Sequence, residues 1–271
     1  MLAGVHSSPA YVLETNLNGT INCLELARKA SGLFIFLSTS RVYSIVPLQN
    51  LMLTELPTRF ELSLNQNILG VSQSGIAENF PTNTSRSFYG TSKLASEYLI
   101  QEYVNLYGLK ATINRFGVIV GPGQFGTSDQ GVYSLWVANH FLNRPLKYTG
   151  FGGAGKQVRD LVHIEDLNQL IVKQIGASYE HKGESFNVGG GKVNSVSLAE
   201  YTKLCEEVTG NSISMGRESE SSVVDIPWFI TDTDKVRMQF NWQPQKSARN
   251  IVADVKDWLT KNEGLIKTLW Q

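Results

Sequence analysis

The chain has 271 residues, with apolar residues at 42%, charged residues at 18% and a formal net charge of +0. That is ordinary globular composition, and the charge balance gives no general attraction to nucleic acid or to an anionic membrane. No apolar run reaches the ~18–20 residues of a membrane-spanning helix, and MLAGVHSSPA lacks the basic start and apolar core of a signal peptide.

Taken in chain order, residues 16–30 place Ile21, Leu24, Leu26 and Ala27 near helical spacing, with Asn16 as the expected cap. LFIFLSTS then reads as a buried parallel strand with Ser38, Thr39 and Ser40 at its carboxyl end, where open α/β sheets bind their ligands. Residues 45–86 form a long mixed connection, which in a compact domain is usually functional or mobile. A helix carrying Tyr89 runs to about Tyr107 with Gly108 as its stop, and KATINRFGVIVGPG is a strand that breaks at Gly121. A helix near 131–143, a short strand PLKYTG and a glycine-rich loop GFGGAG leading to the strand around Arg159 come next. HIEDLNQLIVKQIGA is a helix with His163 as an entry contact, and ESFNVGGG is a strand and turn. SLAEYTKLCEEVTG is an amphipathic helix opened by a Ser197–Glu200 capping box, and ARNIVADVKDWLTKNEG is a final helix. Alternating strands and helices predict an α/β protein with a doubly wound parallel sheet, followed by a smaller α/β lobe. Cys23 and Cys205 fall in apolar helical patterns and are expected to be buried thiols of a reducing compartment, not a metal site.

The chemistry is concentrated in SRSFYGTSKLASEYLIQEY, residues 85–103. Tyr89 and Lys93 stand four apart, on one face of a helix. A tyrosine ordinarily titrates near ~10, and a neighbouring cation stabilises its phenolate. Tyr89 can then act as a base on an alcohol and, in reverse, as an acid on a ketone. Lys93 could also hydrogen-bond the ribose of a nicotinamide nucleotide, and Thr39 could hold the reacting oxygen. A Tyr-x-x-x-Lys spacing is common by chance, so its position after a strand ending in Ser and Thr is what gives it weight.

Five segments, STSRVYS (38–44), SFYGTSKLASE (87–97), NRFGVIVGPGQF (114–125), GKQVRDLVHIEDL (155–167) and FNVGGG (186–191), run in an order that resembles the extended short-chain dehydrogenase/reductase proteins acting on nucleotide sugars. TSDQG (127–131), GKQVRDLVH and the long connection RFELSLNQNILGVSQSGIAENFP are most similar to the CDP-paratose (CDP-tyvelose) 2-epimerase subgroup. The resemblance implies a Rossmann-type sheet and a bound NAD. It implies Thr39, Tyr89 and Lys93 as the catalytic trio, with Ser38, Tyr89 and Lys93 on the cofactor. It implies a nucleotide-diphosphate sugar as substrate, with a CDP-sugar favoured. Ser40, Gln124, Arg159 and, more loosely, Arg217 are implied on that substrate, with Asp160 orienting Arg159. The implied reaction oxidises one carbinol centre, turns the keto-sugar and reduces it from the other face, at C2 in the closest subgroup. A cytoplasmic location follows, and a homodimer through the Tyr89 helix and the helix near 16–30 is possible.

Three departures qualify the resemblance. Dehydratases of the family carry Asp-Glu after the catalytic Thr, whereas this chain has Ser40 and Arg41, so 4,6-dehydration is not expected. Val118 stands where an asparagine is frequent, which removes one substrate hydrogen bond. No Gly-x-x-Gly-x-x-Gly turn opens the chain; GFGGAG and NVGGG lie downstream as turns, and Met1-Leu2-Ala3-Gly4 resembles the end of the family's fourth strand. The expectation is a sheet lacking its first strands, roughly 60–80 residues at about 30 per strand-and-helix unit, with weak NAD affinity and reduced stability. Residues 1–125 are read as a partial dinucleotide-binding domain, with a returning segment near 155–190, and residues 126–271 as mainly a substrate lobe. A remnant unable to hold NAD, or an NAD(P)-dependent keto-sugar reductase, are the alternatives.

Overall fold

The computed structural model describes residues 8–63, 65–127 and 130–269, so Met1–Gly4 and part of TSDQG lie outside the described residues. The helical N-terminal stretch starts earlier than its apolar spacing suggests. Ser8 caps Pro9–Leu13, a wider turn covers Glu14–Asn18, and α1 spans Gly19–Ala30. Asn16 is therefore inside the helical run, and its side chain donates to Ser92 Oγ at 2.9 Å instead of capping.

Strand β1 (Leu33–Thr39) leads through a short turn into the long connection, whose described residues form a short helix and two small hairpins. Its Ile76 and Phe80 bury themselves with Tyr43, Trp228 and Phe229. Helix α2 (Phe88–Tyr107) is capped by Ser87 Oγ, which accepts Gly90 N–H at 3.1 Å, and stops at Gly108 with φ 65°. The apolar run after it divides in two: β2 (Lys110–Phe116) and β3 (Val118–Val120) join different sheets, parting at Gly117. Then follow α3 (Val132–Phe141), β4 (Leu146–Thr149), β5 (Val158–His163), α4 (Ile164–Gly176) and β6 (Lys182–Val188). The remainder is β7 (Ser195–Ser197), α5 (Leu198–Thr209), β8 (Met215–Glu218), β9 (Trp228–Phe229), α6 (Asp234–Phe240) and α7 (Ala248–Lys261). The Ser197–Glu200 capping box forms as its spacing predicts.

The central sheet is parallel, in the order β1–β2–β6, with β1 at its edge among the described residues. One face packs on α1 and α2 through Leu24, Phe36, Ile100 and Ile113. Another cluster joins Phe116, Leu170, Phe186, Phe240 and Trp242 from β2, α4, β6 and the α6 region. This is an α/β fold with helices on both sides of a parallel sheet. A second group of strands gathers on β5, with β3 and β9 parallel to it and β7 antiparallel. Helices α3, α5 and α7 build their own core from Trp136, Val137, Tyr201, Ile251 and Val255. Cys205 is in that core, whereas Cys23 is exposed, on the outward side of α1. Among the described residues, no helix is long and apolar enough to cross a membrane.

The register of the central sheet sets Ser38, Arg115 and Asn187 side by side on β1, β2 and β6. Above this polar row, Glu97 of α2 takes the Arg115 guanidinium on both oxygens (Nε to Oε1 at 3.2 Å, Nη2 to Oε2 at 2.7 Å) and the Ser38 hydroxyl on Oε1 at 2.5 Å. Arg115 continues to Tyr43 Oη, which donates to Asn187 at 2.6 Å. Glu97 is 2% exposed, so removing it strands a buried guanidinium. Glu97→Ala is expected to lower unfolding free energy by about 3–5 kcal/mol; a denaturant midpoint close to the parent's would count against this tie.

Candidate active site

Helix α2 approaches the end of β1 unusually closely. The carbonyl of Arg41 lies where a Cβ on Gly90 would be, 2.1 Å away, so only glycine lets the first helical turn rest on the turn after Thr39. That contact brings the start of α2, with Tyr89, to the turn after Thr39, and the Thr39 hydroxyl acts on the phenol. Thr39 Oγ1 also accepts the Arg41 N–H at 3.2 Å, which fixes the turn. The Tyr89 phenol is mostly buried, and burial pushes its pKa above the usual tyrosine range; the Thr39 hydrogen bond and the Arg41 charge work in the opposite direction.

Lys93 stands elsewhere. Its Nζ donates to the Leu37 carbonyl at 2.9 Å and lies 4.6 Å from the ring centre of Phe36. Burial lowers its pKa, with Glu97 opposing. Tyr89 and Lys93 share one helix face, as their spacing predicts, and the Arg41 charge is a further influence that opposes the rise of the phenol's pKa. Helical spacing fixes where a side chain starts, and a long flexible stem decides where its charge ends.

Ser38 is buried and committed to Glu97. Ser40 is half-buried in the turn, its carbonyl accepting Tyr43 N–H at 3.2 Å. Arg159, on β5, donates to the Ile226 carbonyl at 2.7 Å and reaches Asp225 at 3.4 Å. Arg41 donates to the neighbouring Val224 carbonyl at 3.3 Å, so segment 224–226 brings both guanidiniums to one place. Gln124 holds its own loop, donating to Ile119 O at 3.3 Å and accepting from Ser134 Oγ. Arg217 is exposed on β8, opposite Tyr148, and nothing among the described residues joins it to the Tyr89 cluster. Val118 lies on β3, opposite Leu161.

Two further side chains behave as packing elements. Asp160, expected to orient Arg159, is buried and instead receives Gly191 N–H at 2.9 Å and Thr231 Oγ1 at 3.1 Å. A Cβ on Gly189 or Gly190 would fall within 2.3 Å of Asp160 or Leu161, so NVGGG is a packed turn. His163 caps α4, its Nδ1 accepting Glu165 N–H at 3.1 Å, as its position predicts. His163, Glu165 and Asp254 have metal-ligand spacing, but Lys246 Nζ already stands 2.7 Å from Asp254 and 3.3 Å from Glu165.

Residue types and spacing did not single out Asp225 or Tyr133. Asp225 meets Arg159 only through folding, across 66 residues. Tyr133 is buried with its hydroxyl unpaired and feels the charges of Arg159, Asp160 and Asp225. Glu97 was legible in principle, since Tyr89, Lys93 and Glu97 repeat at helical spacing on α2.

Comparison with known proteins adds a lineage to this geometry. The NAD dependent epimerase/dehydratase family matches residues 3–189. The CDP-paratose 2-epimerase of Salmonella typhi is 30% identical over 93% of this chain and 72% of its own length. The UDP-glucuronate 4-epimerase of Thermodesulfobacterium geofontis is 26% identical over 98% of this chain and 72% of its own. Among solved structures, Pal from Bacillus thuringiensis superposes with a TM-score of 0.73 at 24% identity, covering 96% of this chain and 72% of that one. UDP-glucose 4-epimerase from Thermotoga maritima superposes at 0.71 and 21% identity, covering 94% and 72%. At such identities the two structures establish the fold.

The close seat of α2 is directly testable. Gly90→Ala forces a methyl into the Arg41 carbonyl, and a loss of about 1–3 kcal/mol is expected from overpacking. Thermal unfolding at the parent's Tm would sink the claim.

Proposed function

Because the chain belongs to the NAD dependent epimerase/dehydratase family, we propose that it inverts one carbinol centre of a nucleotide-diphosphate sugar, at C2 of a CDP-linked sugar. The observation that carries this is the company of the Tyr89 phenol: Thr39 and the Arg41 guanidinium act on it, and among the described residues no carboxylate does. Asp225, the nearby acid, is held by Arg159 and by Ile226 N–H at 2.9 Å. Dehydration needs a further acid–base pair; epimerisation needs one group that takes a proton and gives it back. The CDP and C2 assignments draw on the Salmonella typhi relative.

The residues at the end of β1 fit the nicotinamide end of the family's cofactor. Tyr89 is beside Thr39 there, and the Lys93 ammonium keeps donors beyond the one used at Leu37 O. When bound, NAD supplies the reversible hydride acceptor. Tyr89, as phenolate, accepts the proton of the sugar hydroxyl while Thr39 holds the reacting oxygen. Once the keto-sugar has turned, the phenol returns that proton to the oxygen as the opposite face is reduced, so atoms and electrons balance with no net redox. Arg159 suits a diphosphate because a planar guanidinium pairs bidentately with phosphate oxygens, and it would exchange part of its Asp225 contact for the ligand. Residues 1–125 would carry the cofactor and acid–base groups, and 126–271 mainly the sugar nucleotide. A homodimer would use α1 and α2, joined by Tyr103 Oη to Glu25 at 2.7 Å, which leave Leu26, Tyr98 and Leu106 exposed. A pool of CDP-sugars and NAD is a cytoplasmic setting.

With added NAD and CDP-paratose, the protein is expected to form the C2 epimer without consuming external NADPH. NADPH oxidation with ketone reduction would identify a reductase instead, and inertness together with no retained NAD would identify a binding remnant. Tyr89→Phe should lose turnover by about 100-fold or more while sugar-nucleotide binding stays near the parent's. Arg159→Ala should weaken that binding about 10- to 100-fold, for a charged hydrogen bond of about 1.5–3 kcal/mol; an unchanged Kd would remove Arg159 from the phosphate.

A further inference from the structure

Two guanidiniums from distant parts of the chain end on one short segment. Arg159 of β5 donates to the Ile226 carbonyl at 2.7 Å, and Arg41, from the turn after β1, donates to the Val224 carbonyl at 3.3 Å. The segment is itself pinned. Gln49 Nε2 donates to the carbonyls of Val223 and Asp225 at 3.1 and 2.9 Å, and Ser221 Oγ accepts the Phe151 N–H at 2.9 Å. Arg159 also has the Asp225 carboxylate at 3.4 Å, whereas Arg41 forms no ion pair among the described residues. We propose that Arg41 is a second substrate residue, binding together with Arg159 the phosphate next to the sugar. The inference rests on the nucleotide-diphosphate sugar given above as substrate.

Chemistry and place both favour this. The Val224 carbonyl takes one of the guanidinium's five donors, and a neutral carbonyl leaves the charge uncancelled. A phosphate oxygen offers the same donors a shorter, charge-assisted bond, and the planar fork can pair with two such oxygens. Burial, and then the neighbouring Arg159, bring the Arg41 guanidinium down to about 10, so it stays charged at neutral pH. Place matters as much. The Arg41 backbone nitrogen donates to Thr39 Oγ1 at 3.2 Å, and Thr39 is the group that would hold the reacting oxygen. The Arg41 side chain thus starts beside the reacting centre and ends two residues from the carbonyl that holds Arg159. In a nucleotide-diphosphate sugar the phosphate is carried on C1. A carbinol at C2 is bonded to that carbon, whereas one at C4 lies across the ring. A cation that serves the phosphate from beside Thr39 therefore fits inversion at C2.

The test reads phosphate binding directly. Titration calorimetry on the full chain, with NAD present, measures Kd for CDP, with cytidine as the phosphate-free control. Arg41→Gln is expected to weaken CDP about 10-fold or more and to leave cytidine where it was, and Arg41→Lys to recover part of the loss. Asp225→Asn keeps an oxygen for the Ile226 N–H and removes the competing charge, so it is expected to tighten CDP severalfold. An unmoved CDP Kd in Arg41→Gln, an equal loss for cytidine, or a parent that binds CDP no better than cytidine overturns the proposal. Should Arg41→Gln fail to fold, Asp225→Asn decides, and no tightening overturns it. Loss of CDP binding in Arg41→Gln, from a parent that forms no epimer of CDP-paratose, supports the role of Arg41 and counts against the epimerase reading. Epimer formed by a parent whose CDP Kd does not respond to Arg41→Gln keeps that reading and removes Arg41 from the phosphate.

Discussion

A single close contact organises this molecule: the carbonyl of Arg41 against the bare α-carbon of Gly90. It fixes the depth at which α2 meets the end of β1. A helix held away by one methyl group would carry Tyr89 off Thr39, because side chains near a helix start are placed by the helix position more than by their own torsions. The cap is part of the same device. Ser87 Oγ takes the Gly90 N–H, so the first turn is complete where it touches the strand.

Below that contact polar groups join the apolar packing of Phe36, Ile100 and Ile113 in holding the helix. Ser38, Arg115 and Asn187 form a row across three parallel strands, and Glu97 descends onto it from α2. A buried ion pair is a weak source of net stability, because desolvation offsets most of the attraction. Its value here is directional. An apolar face tolerates a helix that slides, whereas a carboxylate gripping a guanidinium on both oxygens accepts one position. Tyr89, Lys93 and Glu97 share that helix face, so fixing Glu97 also fixes the phenol.

The cleft side of the site is electropositive for a related reason. The strand β5 brings Arg159, the turn after β1 brings Arg41, and segment 224–226 offers both of them carbonyls and the one carboxylate of Asp225. Two guanidiniums meet one carboxylate there, so positive charge is in excess among these three groups. The fold's second core, around Trp136, Tyr201 and Ile251, keeps α3, α5 and α7 packed together behind β5.

Much of this was legible in the residues themselves. The order of strands and helices, the stop at Gly108, the Ser197 capping box and the His163 cap are local, set by side chains within a few positions of one another, and local patterns are what a sequence records. Thr39 at the carboxyl end of β1 and Tyr89 at the start of the helix that follows were also readable from the order of elements. Other features were invisible for a physical reason. The split of NRFGVIV between two sheets, the commitment of Asp160 to the Gly191 turn and the meeting of Arg41, Arg159 and Asp225 all depend on contacts between segments far apart in the chain. The sequence determined which groups can carry charge and which can take a proton. Only the tertiary structure decided that Lys93 ends at the Leu37 carbonyl and Arg41 at the Val224 carbonyl, because the reach of a lysine or arginine stem exceeds the spacing between neighbouring sites, and packing selects among them.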